Sequence, residues 1–161
     1  MNIPYEEILG GIPHGRPAPG ARHEVICQRL HQIVHASVAN LRSTRLLPPR
    51  SAVEISRHDK VCPDLALVAA ATGKLWLAAE IVSTEDHRTD TVVKKQIYEE
   101  IKIPRLWMID PRYDNVEVYH SNEYGLILKG ILAAHEVLAE KLLPEFQLTI
   151  AELFHTPKTQ P

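Results

Sequence analysis

The sequence predicts an α/β (α+β) domain in which a mixed β-sheet is flanked by helices and additional strands follow toward the C-terminus. The chain has 161 residues, enough for one domain over 1–161 with a full core. Apolar residues recur at helical spacing in two segments and form short strand-like runs between and after them. The resulting order, α-β-β-β-α-β-β with a β-rich end, favours a mixed sheet with helices packed on it.

The composition excludes several classes of protein. Hydrophobic residues make up 45% of the chain and charged residues 24%, so an ordinary globular domain is expected. The sequence shows neither a basic region followed by an apolar stretch nor an apolar run of transmembrane length. Cys27 and Cys62 are too few for a disulfide framework or a zinc ribbon, which favours a reducing, cytoplasmic location. The net charge of -2 means that nucleic-acid binding would need a local basic patch.

The first part of the chain predicts a loop and then a helix. Residues 1–21 contain most of GGIPHGRPAPGAR and are expected to form a loop-rich segment. A helix over about 22–41 follows, with His23 pointing into its apolar arc and Glu24 just outside it. The arc consists of Ile26, Leu30, Val34, Val38 and Leu41. The segment SAVEIS then predicts a short strand.

Each of the next two predicted strands carries one acidic residue where a hydrophobic residue would be expected. Asp64 lies in the run over 61–70 and Glu80 in the run over 74–83. The Ala-Thr-Gly between the runs suits a three-residue hairpin loop that ends in a left-handed residue, with Ala70 paired to Lys74. Counted outward, that register opposes Asp64 and Glu80. Opposed carboxylates repel each other, whereas a divalent cation between them makes the arrangement favourable. A strand end in water or a different register is the alternative.

The segment DHRTDTVVKKQIYEEIKI predicts a helix that brings one lysine toward these acids. Its apolar arc contains Val93, Ile97 and Ile101. On the helical wheel Lys94 borders this arc, while Lys95 points to solvent. Asp90, Lys94 and Tyr98 follow one another at four-residue spacing on one ridge. This arrangement is typical of a site, although a surface ion pair between Asp90 and Lys94 would explain the same spacing.

The remainder of the chain is rich in predicted strands. IPRLWMID, VEVYH and GLILKGIL are strand-like, and LPEFQLTIAELF predicts a short strand followed by one or two helical turns. Trp76 and Trp107 lie in strands and are expected to be core or interface residues. Residues 156–161 are expected to form a frayed tail.

These motifs together resemble the PD-(D/E)xK nuclease superfamily. Pro63-Asp64, followed after a hairpin by Glu80-Ile81-Val82, is similar to its signature. The run EIVSTEDHRTDTVVKKQIYEEIKIPRLWMIDP resembles its branch of small domains described as putative restriction endonucleases. The matching residues are Glu80, Ser83, Asp90, Lys94, Tyr98, Trp107, Asp110 and Pro111. The ending LPEFQLTIAELF and His23-Glu24 resemble the same branch, so the similarity covers nearly the whole chain and implies a restriction-endonuclease-like core.

The resemblance implies a Mg²⁺-dependent endodeoxyribonuclease, a hydrolase that cleaves phosphodiester bonds of DNA. It implies that Asp64, Glu80 and the backbone carbonyl of Ile81 hold Mg²⁺ or Mn²⁺ and that Lys94 completes the catalytic set. Supporting roles fall to Glu24, Asp90 and Tyr98. The candidate phosphate contacts are Arg42, Arg45, Arg50, Arg57, Lys60, Arg88 and Lys95, of which Arg88 and Lys95 are the nucleic-acid-binding residues expected beside the site.

A homodimer is also expected, because small nucleases that cut both strands often work as symmetric pairs. The Trp107 strand and the β-rich C-terminal third are the predicted contact surfaces.

The sequence departs from the superfamily pattern at two places. Val82 stands where the superfamily has its lysine, and Lys94 in the following helix fits the position that this branch commonly uses instead. Thr84 replaces a common proline and is followed by Glu85 and Asp86, which adds negative charge beside the expected site. The alternative function is therefore a catalytically silent nuclease-fold module that acts in nucleic-acid binding or protein assembly.

A zinc site is a further hypothesis with little support. His31 and His35 have the four-residue spacing of zinc ligands on a helix, but no third ligand accompanies them. Two exposed helix histidines are expected instead. Cys62 is expected to be a small packed residue, because a soft thiolate does not suit Mg²⁺.

Overall fold

A six-stranded mixed β-sheet lies at the centre of the computed structural model, which describes residues 3–156. The strands in this range are β1 (Tyr5–Leu9), β2 (Ile12–Arg16), β3 (Thr44–Leu46), β4 (Val53–Glu54), β5 (Lys60–Val61), β6 (Leu65–Ala69), β7 (Leu75–Ile81), β8 (Arg105–Asp110), β9 (Asn115–Asn122), β10 (Gly125–Ala133), β11 (Val137–Glu140) and β12 (Leu143–Thr149). The helices are α1 (Ala21–Val38), a π-helical turn (Thr89–Lys94) continued by α2 (Lys95–Glu100), and α3 (Ile150–Phe154).

The central sheet has the strand order β10-β9-β8-β7-β6-β3. Its β7 and β8 are parallel, and its other neighbours are antiparallel. The π-helical turn and α2 form the crossover that a parallel pair requires. A smaller sheet has the order β2-β1-β5-β4, and β11 pairs with β12. The predicted mixed sheet with flanking helices and C-terminal strands is therefore confirmed.

Both faces of the sheet are buried at its inner strands β6, β7 and β8, so these strands carry apolar side chains at most positions. One core packs the sheet against α1, α3 and the β11–β12 pair, and its centre is Trp107, whose ring stacks on Phe146 with centroids 5.3 Å apart. The other core packs the opposite face against α2 and contains Tyr98. Because β8 lies in the middle of the sheet and Trp107 is fully buried, the prediction that the Trp107 strand forms an intermolecular contact is wrong.

The N-terminal segment forms a β-hairpin where a loop was predicted. β1 and β2 pair from Tyr5 with Arg16 to Leu9 with Ile12. Gly10 and Gly11, which connect them, have φ angles of 61° and 79°. Two central residues with positive φ are what a tight two-residue hairpin turn requires, and glycine adopts them without steric cost. The Gly-Gly pair was the signal for this hairpin, and the loop prediction for 1–21 overlooked it.

Helix α1 follows its prediction closely and ends three residues earlier, at Val38 rather than Leu41. The predicted arc is buried within the helix, while Leu41 lies beyond its end and is half-buried. Among residues 3–156 no helix is both long and apolar enough to cross a membrane. The predicted frayed tail lies, from 157 onward, outside the described residues.

The β6–β7 hairpin keeps the predicted register near its open end and departs from it near the loop. Leu65 pairs with Ala79, as predicted, but a bulge between Leu67 and Val68 shifts the pairing by one residue. The Ala69 N–H consequently donates to the Lys74 carbonyl at 2.8 Å, and the predicted pairing of Ala70 with Lys74 is wrong. Gly73 closes the turn with φ 71°, in the left-handed region that the prediction required.

Candidate active site

Asp64 lies directly before β6 and is 2% exposed. Its Oδ2 accepts the Ile81 N–H at 2.8 Å, while Oδ1 lies 2.8 Å from His23 Nε2 and 3.1 Å from Arg50 Nη1. Burial raises the pKa of Asp64, but the hydrogen bond and charge of His23, together with the Ile81 N–H, outweigh burial and hold the pKa below its usual value. Asp64 is therefore a buried carboxylate that stays ionised.

Glu80 lies on β7, one residue after Ala79, and Asp64 lies one residue before Leu65. Because Leu65 pairs with Ala79, the same register places Glu80 opposite Asp64, as predicted. Glu80 Oε1 is 2.6 Å from Lys94 Nζ and accepts the Tyr98 hydroxyl at 2.5 Å. Burial raises the pKa of Glu80 to about 8, because the opposing effect of Lys94 is countered by the charges of Glu7 and other acids.

Lys94 is fully buried and lies between the side chains of two glutamates. Its Nζ is 2.6 Å from Glu80 Oε1 and 2.8 Å from Glu7 Oε2, in ion pairs without the alignment of hydrogen bonds. Burial lowers the pKa of Lys94, but Glu80 and Glu7 outweigh burial and raise the pKa above its usual value. Lys94 is therefore expected to carry a positive charge near neutral pH.

The helix phase predicted for this lysine needs a correction. Lys94 lies at the centre of the buried face instead of at its border, and Asp90 is buried with it rather than forming a surface pair. Val93 and Ile101 are only half-buried. The cause is the π-helical turn over Thr89–Lys94, whose extra residue per turn shifts the helical phase. Such turns are frequent at functional sites.

Glu7 is a site residue that the sequence interpretation missed. Its Oε2 accepts the Cys62 N–H at 2.7 Å in addition to contacting Lys94, and its Oε1 is 2.6 Å from Arg16 Nη1. The combined effect of Lys94, the Cys62 N–H and Arg16 outweighs burial and lowers the pKa of Glu7. Only the Gly-Gly hairpin signal could have placed Glu7 in a strand, and nothing in the sequence pairs that strand with Lys94.

Arg16, which was also missed, neutralises several acids around the site. Its Nη2 contacts Asp90 Oδ1 at 2.7 Å, and its Nε contacts Asp86 Oδ2 at 3.2 Å. Asp90 in turn accepts the Ser83 N–H at 2.9 Å. Arg16 thus links the loop after β7 to β2. It also compensates the negative charge of Asp86, one of the acids at which the sequence departs from the superfamily pattern.

Glu24 and Arg50 form a second ion pair beside Asp64. Arg50 Nη2 lies 2.6 Å from Glu24 Oε1 while Nη1 contacts Asp64. Arg50 was predicted to be a phosphate contact, but its side chain is mostly buried among these acids.

The histidine prediction was wrong for one of the two residues. His31 is half-buried, and its Nε2 lies 2.7 Å from the Asp64 carbonyl oxygen, whereas His35 is exposed. Burial lowers the pKa of His31. Cys62 is buried and packed, as expected.

The two predicted nucleic-acid-binding residues have different environments. Arg88 is exposed. Lys95 is half-buried rather than pointing to solvent, and its ammonium lies 4.5 Å from the centre of the Tyr119 ring. A cavity of about 300 Å³ opens between the start of α1 and the loop after β7, where Tyr5, Arg16 and His23 contribute to its wall.

The site has the donor chemistry of a Mg²⁺ centre, because Asp64, Glu80 and Glu24 supply hard carboxylate oxygens. Within residues 3–156, however, no three histidine, cysteine, aspartate or glutamate side chains are arranged around one point as metal ligands. Protein cations contact these oxygens instead: the Arg50 guanidinium lies between Asp64 and Glu24, and the Lys94 ammonium contacts Glu80.

The mixed sheet, the crossover helix and the clustered acids and lysine define a restriction-endonuclease-like domain of the PD-(D/E)xK class. The family model Uma2, described as "Putative restriction endonuclease", matches residues 3–151, so the chain belongs to this family. The chain also resembles a crystal structure described as "a putative nuclease belonging to DUF820 from Anabaena variabilis ATCC 29413", with a TM-score of 0.78. Sequence identity is 17%, over 94% of this chain and 90% of that chain, so this likeness speaks to the fold. A comparison with curated proteins found no match.

Proposed function

We propose that the protein is a Mg²⁺- or Mn²⁺-dependent endonuclease that hydrolyses phosphodiester bonds of DNA. Membership of the restriction endonuclease family supports a nuclease-like function. The proposal of metal-dependent DNA cleavage rests mainly on the contact of the buried Lys94 ammonium with Glu80. The pairing of β6 with β7 places this glutamate opposite Asp64. A charged lysine beside two acids is the constellation that phosphoryl chemistry needs for charge stabilisation.

The proposed ion would be held by Asp64, Glu80 and the backbone carbonyl of Ile81. When bound, a divalent metal lowers the pKa of a coordinated water and shields the phosphate charge. Glu24 would contribute a further carboxylate beside Asp64. Hard oxygen donors of this kind support Mg²⁺ or Mn²⁺ rather than zinc.

Lys94 would stabilise the negative charge that develops on the phosphate. Its raised pKa rules against a role as general base, because the ammonium does not release its proton near neutral pH. Glu7 and Glu80 hold the ammonium from two sides, and the Tyr98 hydroxyl orients the Glu80 carboxyl. Glu7, Tyr98 and Asp90 are therefore positioning residues in this proposal.

Cleavage of supercoiled plasmid DNA tests the proposal. The wild-type protein should convert the plasmid to nicked or linear forms with Mg²⁺ or Mn²⁺ and not with EDTA. Asp64→Asn should abolish this activity and Lys94→Met should lower it by about 100-fold or more. Lys95→Met is the matched control, and its cleavage rate at saturating DNA should stay near that of the wild type. Parallel reactions with RNA of the same sequence would show which polymer is preferred. Equal cleavage by wild type and Asp64→Asn would contradict the assignment of the site.

A catalytically silent nuclease-fold module is the second candidate, and one observation favours it. Both Asp64 oxygens are engaged by protein groups, from His23, Arg50 and Ile81. With both oxygens occupied, Asp64 has less capacity to coordinate a metal ion, which favours a module that does not cleave DNA. DNA binding in a fluorescence anisotropy titration, without cleavage in Mg²⁺, Mn²⁺ or Co²⁺, would support the module and exclude the enzyme.

The proposal includes a cytoplasmic homodimer. The buried free thiols of Cys27 and Cys62 are compatible with a reducing compartment. The homodimer would associate through a surface other than the Trp107 strand, because Trp107 is fully buried.

A further inference from the structure

Arg50 joins two acids of the site that come from different elements. Its guanidinium lies 2.6 Å from Glu24 Oε1, on α1, and 3.1 Å from Asp64 Oδ1, directly before β6. The Arg50 and Glu24 side chains are 11% and 14% exposed, and that of Asp64 is 3% exposed. Ion pairs this far from solvent are screened much less than surface pairs.

The backbone at Arg50 is constrained in a way that serves this contact. Arg50 has a φ of 56°, which a residue with a Cβ seldom adopts. Its N–H donates to the Pro63 carbonyl at 3.0 Å, which fixes Arg50 next to Asp64, and Ser51 N–H closes the turn on the Pro48 carbonyl at 3.2 Å. Strain of this kind persists where the surrounding structure maintains it, and it concentrates at functional sites.

The Arg50 guanidinium also contacts an Asp64 oxygen that a divalent metal ion would need as a ligand. Asp64 Oδ2 already accepts the Ile81 N–H, and Oδ1 contacts both His23 and Arg50. A divalent cation approaching Oδ1 would meet a positive charge about 3 Å from the same oxygen. Like charges at this range repel strongly when solvent is largely excluded.

We propose that Arg50 is a built-in cation that occupies the space between Glu24 and Asp64 and competes with a divalent metal for Asp64. This inference rests on the proposed metal-dependent function and deepens it. In the absence of metal, Arg50 compensates the charges of two largely buried carboxylates. Metal binding requires the Arg50–Asp64 contact to break, so Arg50 sets the metal concentration at which the site fills.

Removal of this one charge provides the test. Metal-free wild type, Arg50→Gln and Arg45→Gln would each be titrated with Mn²⁺ by isothermal calorimetry and by thermal denaturation. Arg45 is an exposed arginine of β3 and is a matched control for loss of a positive charge. We expect Arg50→Gln to bind Mn²⁺ at least about tenfold more tightly than wild type, since an adjacent unit charge is removed. Its metal-free Tm should be lower, and Mn²⁺ should raise that Tm more than it raises the wild-type Tm.

Arg50→Lys keeps the positive charge but lacks the planar guanidinium group that can contact two carboxylates. This variant provides a second test if Arg50→Gln does not fold. Its Mn²⁺ Kd should lie between those of wild type and Arg50→Gln, because a single ammonium cannot hold both acids as a guanidinium does. Equal Mn²⁺ affinity in wild type and in both Arg50 variants would overturn the competition and leave the metal site intact. Absence of Mn²⁺ binding in all variants would overturn both the competition and the proposed metal dependence.

Discussion

The Glu7 carboxylate lies 2.8 Å from the Lys94 ammonium, and both side chains are completely shielded from solvent. Glu7 belongs to β1 of the N-terminal hairpin, whereas Lys94 ends the π-helical turn after β7. Lys94 therefore has two glutamate partners, because Glu80 contacts the same ammonium. The N-terminal hairpin is consequently part of the candidate active site and not an appendage to it.

Replacement of Glu7 tests this relationship. Glu7→Gln keeps the size of the side chain and removes a charge that contacts both Lys94 and Arg16. We expect a loss of about 3 kcal/mol in the free energy of unfolding, the typical cost of breaking a buried ion pair. Urea denaturation measures this loss. The exposed neighbour Glu6 gives the control, since Glu6→Gln should change stability by less than about 0.5 kcal/mol. Similar losses in both variants would show that Glu7 has no special role.

The two neighbouring lysines should differ sharply in their contribution to cleavage. Lys94→Met removes the only lysine that contacts Glu80 among the described residues, and we expect cleavage to fall by about 100-fold or more. Lys95→Met loses a cation–π contact with the Tyr119 ring, which is worth about 0.5–2 kcal/mol, and should stay active. Single-turnover rates at saturating Mg²⁺ measure the difference. If Lys95→Met were the inactive variant, the π-helical phase would be wrong.

Stability should depend on pH through Glu80. Its pKa is raised to about 8 in the folded protein, from an ordinary value of 4.5. Between about pH 4.5 and pH 8 the folded state therefore holds a proton that the unfolded state has lost. The contribution of Glu80 to the free energy of unfolding is complete below about pH 4.5 and is lost as the pH rises toward about 8. Each unit of pKa difference corresponds to about 1.4 kcal/mol, so the total is a few kcal/mol.

The comparison of wild type with Glu80→Gln isolates this effect from other titrations. The amide mimics the protonated carboxyl, so the variant should lack the decline between pH 5 and pH 8. Denaturant unfolding in EDTA across this range measures both proteins. Glu7 and Asp64 act in the opposite direction, because their pKa values are lowered and their contributions are lost as pH falls. Parallel curves for wild type and Glu80→Gln would refute the protonated state of Glu80.

Divalent metal should stabilise the folded protein through Asp64. Mg²⁺ or Mn²⁺ that binds only the folded state raises Tm by mass action, by an amount that grows with the logarithm of the metal concentration. Asp64→Asn should remove this rise, because a neutral amide is a poor ligand for a hard cation. Thermal scans over a metal series measure both proteins, and Asp59→Asn, in the turn before β5, is a control for loss of a carboxylate away from the site. An undiminished rise in Asp64→Asn would place the metal elsewhere.

Self-association should use the open edge of the central sheet. β10 is the outer strand and exposes three apolar side chains, which are Ile127, Leu128 and Ile131. A long apolar edge favours pairing with another strand. We therefore expect a homodimer by light scattering at tens of micromolar and a monomer for Ile131→Lys. A monomeric mass for the wild-type protein at these concentrations would contradict the dimer.

The sequence by itself determined the scaffold and two sides of the candidate site. Apolar periodicity predicted α1 within three residues at its C-terminal end and the strands β7 and β8, because patterns of burial follow from local geometry. The predicted register of β6 on β7 is correct near Asp64, although the predicted pairing beside the turn is not, because the bulge between Leu67 and Val68 offsets the one-residue difference at the turn. The family resemblance added the roles expected of Asp64, Glu80 and Lys94.

Only the tertiary structure decided which charges meet. Glu7 and Arg16 contact Lys94 and Asp90 from the N-terminal hairpin, which is distant from both residues in the sequence, and no local pattern encodes such a pairing. Arg50 had the sequence features of a surface arginine, yet a left-handed turn carries it between two acids. The helical wheel could not predict the π-helical turn either, because it assumes a constant number of residues per turn. Sequence patterns report which face of an element is buried, whereas the partner of a buried charge depends on the packing of elements that are distant in the chain.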